Sequence, residues 1–162
     1  MKIFFKKLVL FKFLISFIIY ILYISLYLTS MSIKPSQQLV KEAQNSIETL
    51  NSEDVKKLAE KNEITLIDVR DIRELWKEGT IENSKHIPRG MLEFWLDPES
   101  TYYKANKIQD IKKMVLFCAL GWRSALATKS LVDMGFQNVA HVDGGFDALK
   151  KSGLKVISKE KK

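Results

Sequence analysis

The single cysteine, Cys118, follows the apolar run Met114-Val115-Leu116-Phe117 and opens the segment Cys118-Ala119-Leu120-Gly121-Trp122-Arg123-Ser124. The anionic form of a cysteine is its nucleophilic form, and it needs positive charge and N–H donors nearby. A loop that leads from a strand into a helix aims backbone N–H groups inward, and the helix N-terminus adds a partial positive charge. Arg123 adds a full one. Gly121 gives the backbone freedom to curl around the sulfur, and Ser124 reads as the cap of the helix that follows. Cys118 is therefore a candidate nucleophile for covalent catalysis, with Arg123 to orient an anion. Ala119, Leu120, Gly121, Trp122 and Ser124 complete a candidate substrate-binding loop, Trp122 as a wall. A cysteine merely buried at a strand end would leave the offsets of Gly121 and Arg123 unexplained.

The elements around this loop read as alternating strands and helices. Gln37 to Gln44 suggests a short amphipathic helix, and Ile47 to Leu50 a brief apolar piece. Asn51 caps a helix from Ser52 to about Lys61. Ile64 to Val69 is a continuous apolar run interrupted only at its end by Asp68, as expected of a parallel strand buried on both faces. Helical spacing returns from Asp71 to Glu78, with Ile72, Leu75 and Trp76 placed inward and Gly79 as the stop. His86-Ile87-Pro88 is short and extended. Met114 to Phe117 forms a second buried strand, Ser124 to Met134 a helix closed by Gly135, and Val139 to Val142 a third strand. Gly144-Gly145 turns the chain into a last helix, Phe146 to Lys151. Gly90 to Ile108 gives no clear pattern, and Trp95 is assigned to the core. This alternation implies an α/β domain with a parallel sheet, in which ligands sit beyond the carboxyl ends of the strands. His141 lies inside the third strand and reads as a core or edge histidine, and His86 as a hydrogen-bonding loop residue.

The 162 residues suit one domain with an appendage. The formal charge of +7 is misleading, because Lys2, Lys6, Lys7, Lys12 and Lys34 precede every acid and the tail Lys159–Lys162 carries all of the rest. The body is neutral, which argues against a nucleic-acid partner. One cysteine excludes an internal disulfide framework, and with two histidines it could hardly assemble a structural zinc site, so no metal or other cofactor is expected. Residues 13–33 carry no charge, and as a helix they would extend roughly 31 Å. With the lysines preceding that run, it reads as a single-pass membrane anchor that leaves the body on the non-cytoplasmic side. Two other readings stand beside it: a cleavable signal segment, with Ser30 and Ser32 as small residues before the cut, and a cytoplasmic protein whose translation starts at Met31. The expected organisation is an anchor or signal segment over 1–34, a linker or short helix over 35–45, the domain over 46–158 and a basic tail over 159–162.

The cysteine loop resembles the active-site loop of the rhodanese family: Cys, two residues, Gly, one residue, Arg, then Ser or Thr. Asp68-Val69-Arg70 resembles the family's Asp-x-Arg after an early strand, Gly79 to Pro88 the stretch between its two short motifs, and Val142 to Leu149 its closing Gly-Gly-aromatic segment. The resemblance covers roughly Ile47 to Gly153. Thr80, Asn83-Ser84 and Leu149 depart from it at framework positions, while the loop matches fully. It implies a five-stranded parallel sheet flanked by helices, and a thiosulfate sulfurtransferase in which Cys118 takes sulfane sulfur as a persulfide and yields it to cyanide or another thiol. It also implies that Asp68 and Arg70 pair to brace the loop. A different class remains open, a persulfide carrier or partner-binding module without turnover. Tyrosine-phosphatase-like enzymes also pair Cys with Arg, but across five residues instead of the four found here, and the shorter ring fits sulfur better than phosphate.

Overall fold

A computed structural model of the chain describes residues 2–30, 33–108 and 111–161, with side chains described for 11–26, 33–106 and 111–161. It contains two compact units, Met1–Pro35 and Ser36–Lys162. The first contains helix α1 (Lys2–Ser30).

The membrane reading of residues 13–33 is overturned. Among the described residues no helix is long and apolar enough to cross a membrane. The single-pass topology and the non-cytoplasmic placement of the body fall with it. The alternative start at Met31 and the small residue Ser32 lie outside the described residues.

The second unit runs through α2 (Ser36–Gln44), β1 (Glu48–Leu50), α3 (Ser52–Glu60), β2 (Ile64–Asp68), α4 (Ile72–Glu78), β3 (Thr80–Ile81) and β4 (Lys85–His86). A 3₁₀ turn (Arg89–Met91), α5 (Leu92–Leu96) and α6 (Ala105–Ile108) follow. The chain continues through β5 (Lys113–Phe117), α7 (Trp122–Asp133), β6 (Val139–Val142), α8 (Gly145–Lys151) and β7 (Val156–Ile157). Five strands form one parallel sheet in the order β1-β6-β5-β2-β4, and β3 and β7 form a separate antiparallel ribbon. The fold is the α/β architecture expected, a five-stranded parallel sheet with helices on both sides.

Strands β2, β5 and β6 are nearly continuous buried runs because helices cover both faces of the sheet. One core cluster collects Ile67, Leu116, Leu92, Ala127 and Leu131 on the α5 and α7 side. Another collects Leu66, Val115, Phe117, Phe146 and Leu149 with Val55 on the α3 and α8 side. Alternate residues of β2 and β5 thus feed opposite layers. Helix α2 belongs to this unit, where Val40 and Ala43 are buried. Trp76 is exposed, contrary to the inward placement read from the sequence. It adjoins Leu75, which is fully buried, and neighbouring helical residues point about 100° apart. Trp95 is partly buried against the α5–α7 core.

Candidate active site

β2 and β5 run side by side, with Asp68 opposite Phe117, so Asp68 and Cys118 leave the sheet at the same carboxyl end. Cys118 is almost wholly buried. Its Sγ accepts the Gly121 N–H at 3.2 Å, and the buried Ser124 hydroxyl lies 3.7 Å from it. Gly121 takes the left-handed conformation, φ +95°, which bends the chain back over the sulfur and starts α7. Ser124 is not the helix cap expected of it. Gly121 holds the cap position, and Ser124 sits in the first turn with its hydroxyl donating to Gly121 O at 3.0 Å. Leu120 and Trp122 point outward, each about half exposed.

The Gly144-Gly145 turn supports the loop from beneath. Phe146 N donates to Cys118 O at 2.7 Å and Asp147 N to Ala119 O at 3.3 Å. A Cβ on Gly145 would lie 2.3 Å from Cys118 O and 2.8 Å from Gly121 N, so only glycine permits this approach. The sequence shows a turn here; the close backbone contact is visible only in three dimensions.

Asp68 and Arg70 form the expected pair, and both are fully buried. Arg70 Nη2 donates to Asp68 Oδ2 at 2.7 Å, and its Nε to Oδ1 at 2.9 Å. Thr80 Oγ1 donates to Asp68 Oδ2, also at 2.7 Å, and Arg70 Nη2 reaches Gly79 O at 2.8 Å. The guanidinium lies over the Phe146 ring at 3.9 Å and near Phe117 at 5.9 Å. Those two phenylalanines flank the loop, one before Cys118 and one beneath it, so the pair meets the loop through aromatic faces.

Arg123 projects from the first turn of α7 into a two-pronged ion pair with Glu74, Nη1 to Oε2 at 2.6 Å and Nη2 to Oε1 at 2.7 Å. Glu74 was not singled out in the sequence. Its one sequence signal is the Asp71-x-x-Glu74 spacing of a capping box, and it does receive the Asp71 N–H at 3.1 Å. The Arg123 hydrogen bonds, helped by that N–H, hold the Glu74 carboxyl below the usual carboxylate range, and Glu74 raises Arg123 in turn. Both stay charged at any ordinary pH.

The histidines are placed elsewhere. His86 Nε2 hydrogen-bonds with Arg70 O at 2.9 Å, and His141 is buried in β6 with Nε2 3.0 Å from Thr49 Oγ1. Burial lowers the His141 pKa from its ordinary value. Among the described residues no group of three or more His, Cys, Asp or Glu side chains could hold a metal ion.

The family model of the rhodanese-like domain matches residues 51–152, from the cap of α3 to the end of α8. The chain belongs to the rhodanese-like family. This rhodanese-like domain is 34% identical over 110 residues to rhodanese-like domain-containing protein 17 of Arabidopsis thaliana, a match covering 60% of this chain and 67% of that protein. Among solved structures, a polysulfide-sulfur transferase from Wolinella succinogenes aligns with a TM-score of 0.57 at 36% identity, over 76% of this chain and 88% of that one. A Rhodopseudomonas palustris protein of unknown function, described as a possible tyrosine phosphatase, aligns with a TM-score of 0.72 at 42% identity, over 78% of this chain and 98% of that one. The family and its sulfurtransferase-named members support a sulfurtransferase-type function for the rhodanese-like domain.

Proposed function

We propose that the domain moves sulfane sulfur from a donor such as thiosulfate to a thiol or cyanide, by way of a persulfide on Cys118. The observation that carries this reading is the sulfur itself, buried at a strand end and faced by the Gly121 N–H. In the first step the Cys118 thiolate attacks the outer sulfur of thiosulfate. A Cys118 S–S bond forms, the bond to the sulfonate sulfur breaks, and its electron pair leaves with sulfite. In the second step cyanide or a thiolate attacks the terminal sulfur, and the electron pair returns to Cys118.

Loop N–H groups between Ala119 and Ser124 hold the anionic sulfur, as an oxyanion hole holds oxygen. Arg123, clasped by Glu74, borders the loop, Leu120 and Trp122 line the approach, and Asp68 with Arg70 keeps the loop in shape. With Cys118 the one cysteine of the chain, the persulfide has no internal thiol to resolve it and passes to an outside acceptor.

The likeness to a protein described as a possible tyrosine phosphatase raises phosphoryl transfer as a second reading. Four residues separate Cys118 from Arg123. That ring suits a single sulfur better than a phosphate with three oxygens to bind, and sulfur transfer is preferred on that ground.

Steady-state kinetics test the proposal. Thiosulfate and cyanide should yield thiocyanate with parallel double-reciprocal lines, the pattern of a covalent intermediate, and Cys118→Ser should form none. Thiocyanate formation by Cys118→Ser at the wild-type rate would overturn it. Loading of one sulfur without turnover would assign the protein instead to the carrier class, and hydrolysis of an aryl phosphate without sulfur loading to the phosphatase class.

A further inference from the structure

Arg123 is the one cationic side chain of the cysteine loop, and its two terminal nitrogens are both engaged by Glu74 at 2.6 and 2.7 Å. Glu74 is itself anchored, since its Oε2 also receives the Asp71 N–H at the start of α4. The clasp joins the N-terminal turns of α4 and α7, the helices that follow the paired strands β2 and β5 whose ends carry Asp68 and Cys118. The pair has no net charge. The other outward side chains of the loop, Leu120 and Trp122, are apolar and about half exposed. A dianion approaching Cys118 thus meets loop N–H groups and apolar surface, with the one loop cation already neutralised.

We propose that Glu74 is a positioning residue that fixes Arg123 and cancels its charge, so that the loop takes sulfur from donors of low charge in preference to dianions such as thiosulfate. The proposal rests on the sulfur-transfer reading above and narrows its donor class to monoanionic or neutral sulfane-sulfur compounds. Coulomb attraction acts in proportion to ligand charge, so freeing Arg123 favours a dianion over a monoanion of the same reactive group. Loss of a purely structural contact would penalise both alike.

Thiosulfate and methanethiosulfonate make the comparison, because both present a terminal sulfur on a sulfonyl group and differ by one charge. With either, the Cys118 thiolate bonds to the terminal sulfur, and the departing electron pair goes to sulfite or to methanesulfinate. For the wild type, kcat/KM should favour methanethiosulfonate. In Glu74→Gln the thiosulfate-to-methanethiosulfonate ratio of kcat/KM should rise about tenfold, chiefly through KM, and the gain should shrink as salt is raised past about 0.15 M. Glu74→Asp keeps the charge and should keep the ratio near the wild-type value. The ratio does not depend on the fraction of enzyme folded, so a partly destabilised variant still answers. An unchanged ratio in Glu74→Gln, with both donors slowed equally, would overturn the proposal while leaving sulfur transfer intact. Failure of either donor to load the wild-type protein would overturn the sulfur-transfer reading itself, and this proposal with it.

Discussion

Asp68–Arg70 lies beneath the cysteine loop with both side chains fully buried, whereas Glu74–Arg123 stands at its mouth with 28% of the Glu74 side chain and 43% of that of Arg123 exposed. Both are two-pronged carboxylate–guanidinium pairs of nearly equal length. Their surroundings set them apart. Asp68 also receives Thr80, and Arg70 also reaches Gly79 O and the Phe146 ring, while its Nη1 faces only Glu78 at 3.5 Å. Such a pair cannot open without stranding a charge in the core. At the mouth, water reaches both partners, so the clasp that holds Arg123 is partly solvated and can be broken without stranding a charge in the core. The same pairing chemistry thus stands in two settings, one sealed in the core and one partly open to solvent.

Substitutions can break that contrast. Arg70→Leu leaves the Asp68 carboxylate buried without its partner and should cost about 3–5 kcal/mol of stability in urea unfolding, the largest effect expected. Gly145→Ala drives a Cβ into Cys118 O at φ +57° and should cost about 2–3 kcal/mol with loss of sulfur loading. Gly135→Ala is its control. That glycine also has a positive φ, +98°, but open space around it, so the substitution should cost only about 1 kcal/mol and leave loading intact. Equal losses at the two glycines would mean that the turn under the loop has no special role.

His141 extends the comparison to a buried histidine without an ion pair: its Nε2 meets the Thr49 hydroxyl, and desolvation outweighs the opposing pull of Asp143 and the Val142 backbone. Desolvation lowers its pKa below the ordinary 6.5, so the unfolded chain binds the proton first. Stability should be intact above about pH 6.5 and fall as the pH drops through that value toward the folded-state pKa. Urea midpoints at about pH 7.5 and about pH 5 should diverge in the wild type and converge in His141→Gln. Glu74→Ala should have the smallest effect, under about 1 kcal/mol, because the clasp it breaks is partly solvated.

The parts of this molecule that were legible in the sequence are those where one physical rule dominates. Ile64–Val69, Met114–Phe117 and Val139–Val142 read as strands because burial on both faces leaves no room for alternation. Asn51 read as a cap because its side chain receives the Asp54 N–H, at 2.8 Å. The β3–β7 ribbon was illegible, since two-residue strands carry no period. Glu74 was missed because its clasp depends on α4 and α7 starting side by side, a consequence of β2–β5 pairing that no local spacing records. Ser124 was misplaced by one turn because Gly121, in a left-handed conformation, lets α7 begin earlier than a serine cap would. The charge-free run at the N-terminus suggested a membrane span, yet no described helix meets the length and apolarity that crossing requires.

The central claim is that Cys118 carries sulfur, and the intact mass of the protein after incubation with methanethiosulfonate tests it most directly. Wild-type protein should gain the mass of one sulfur atom, located on the peptide containing Cys118 and removed by cyanide, while Cys118→Ser should gain nothing. Wild-type protein that stays unmodified, or a gain that persists in Cys118→Ser, would contradict the account.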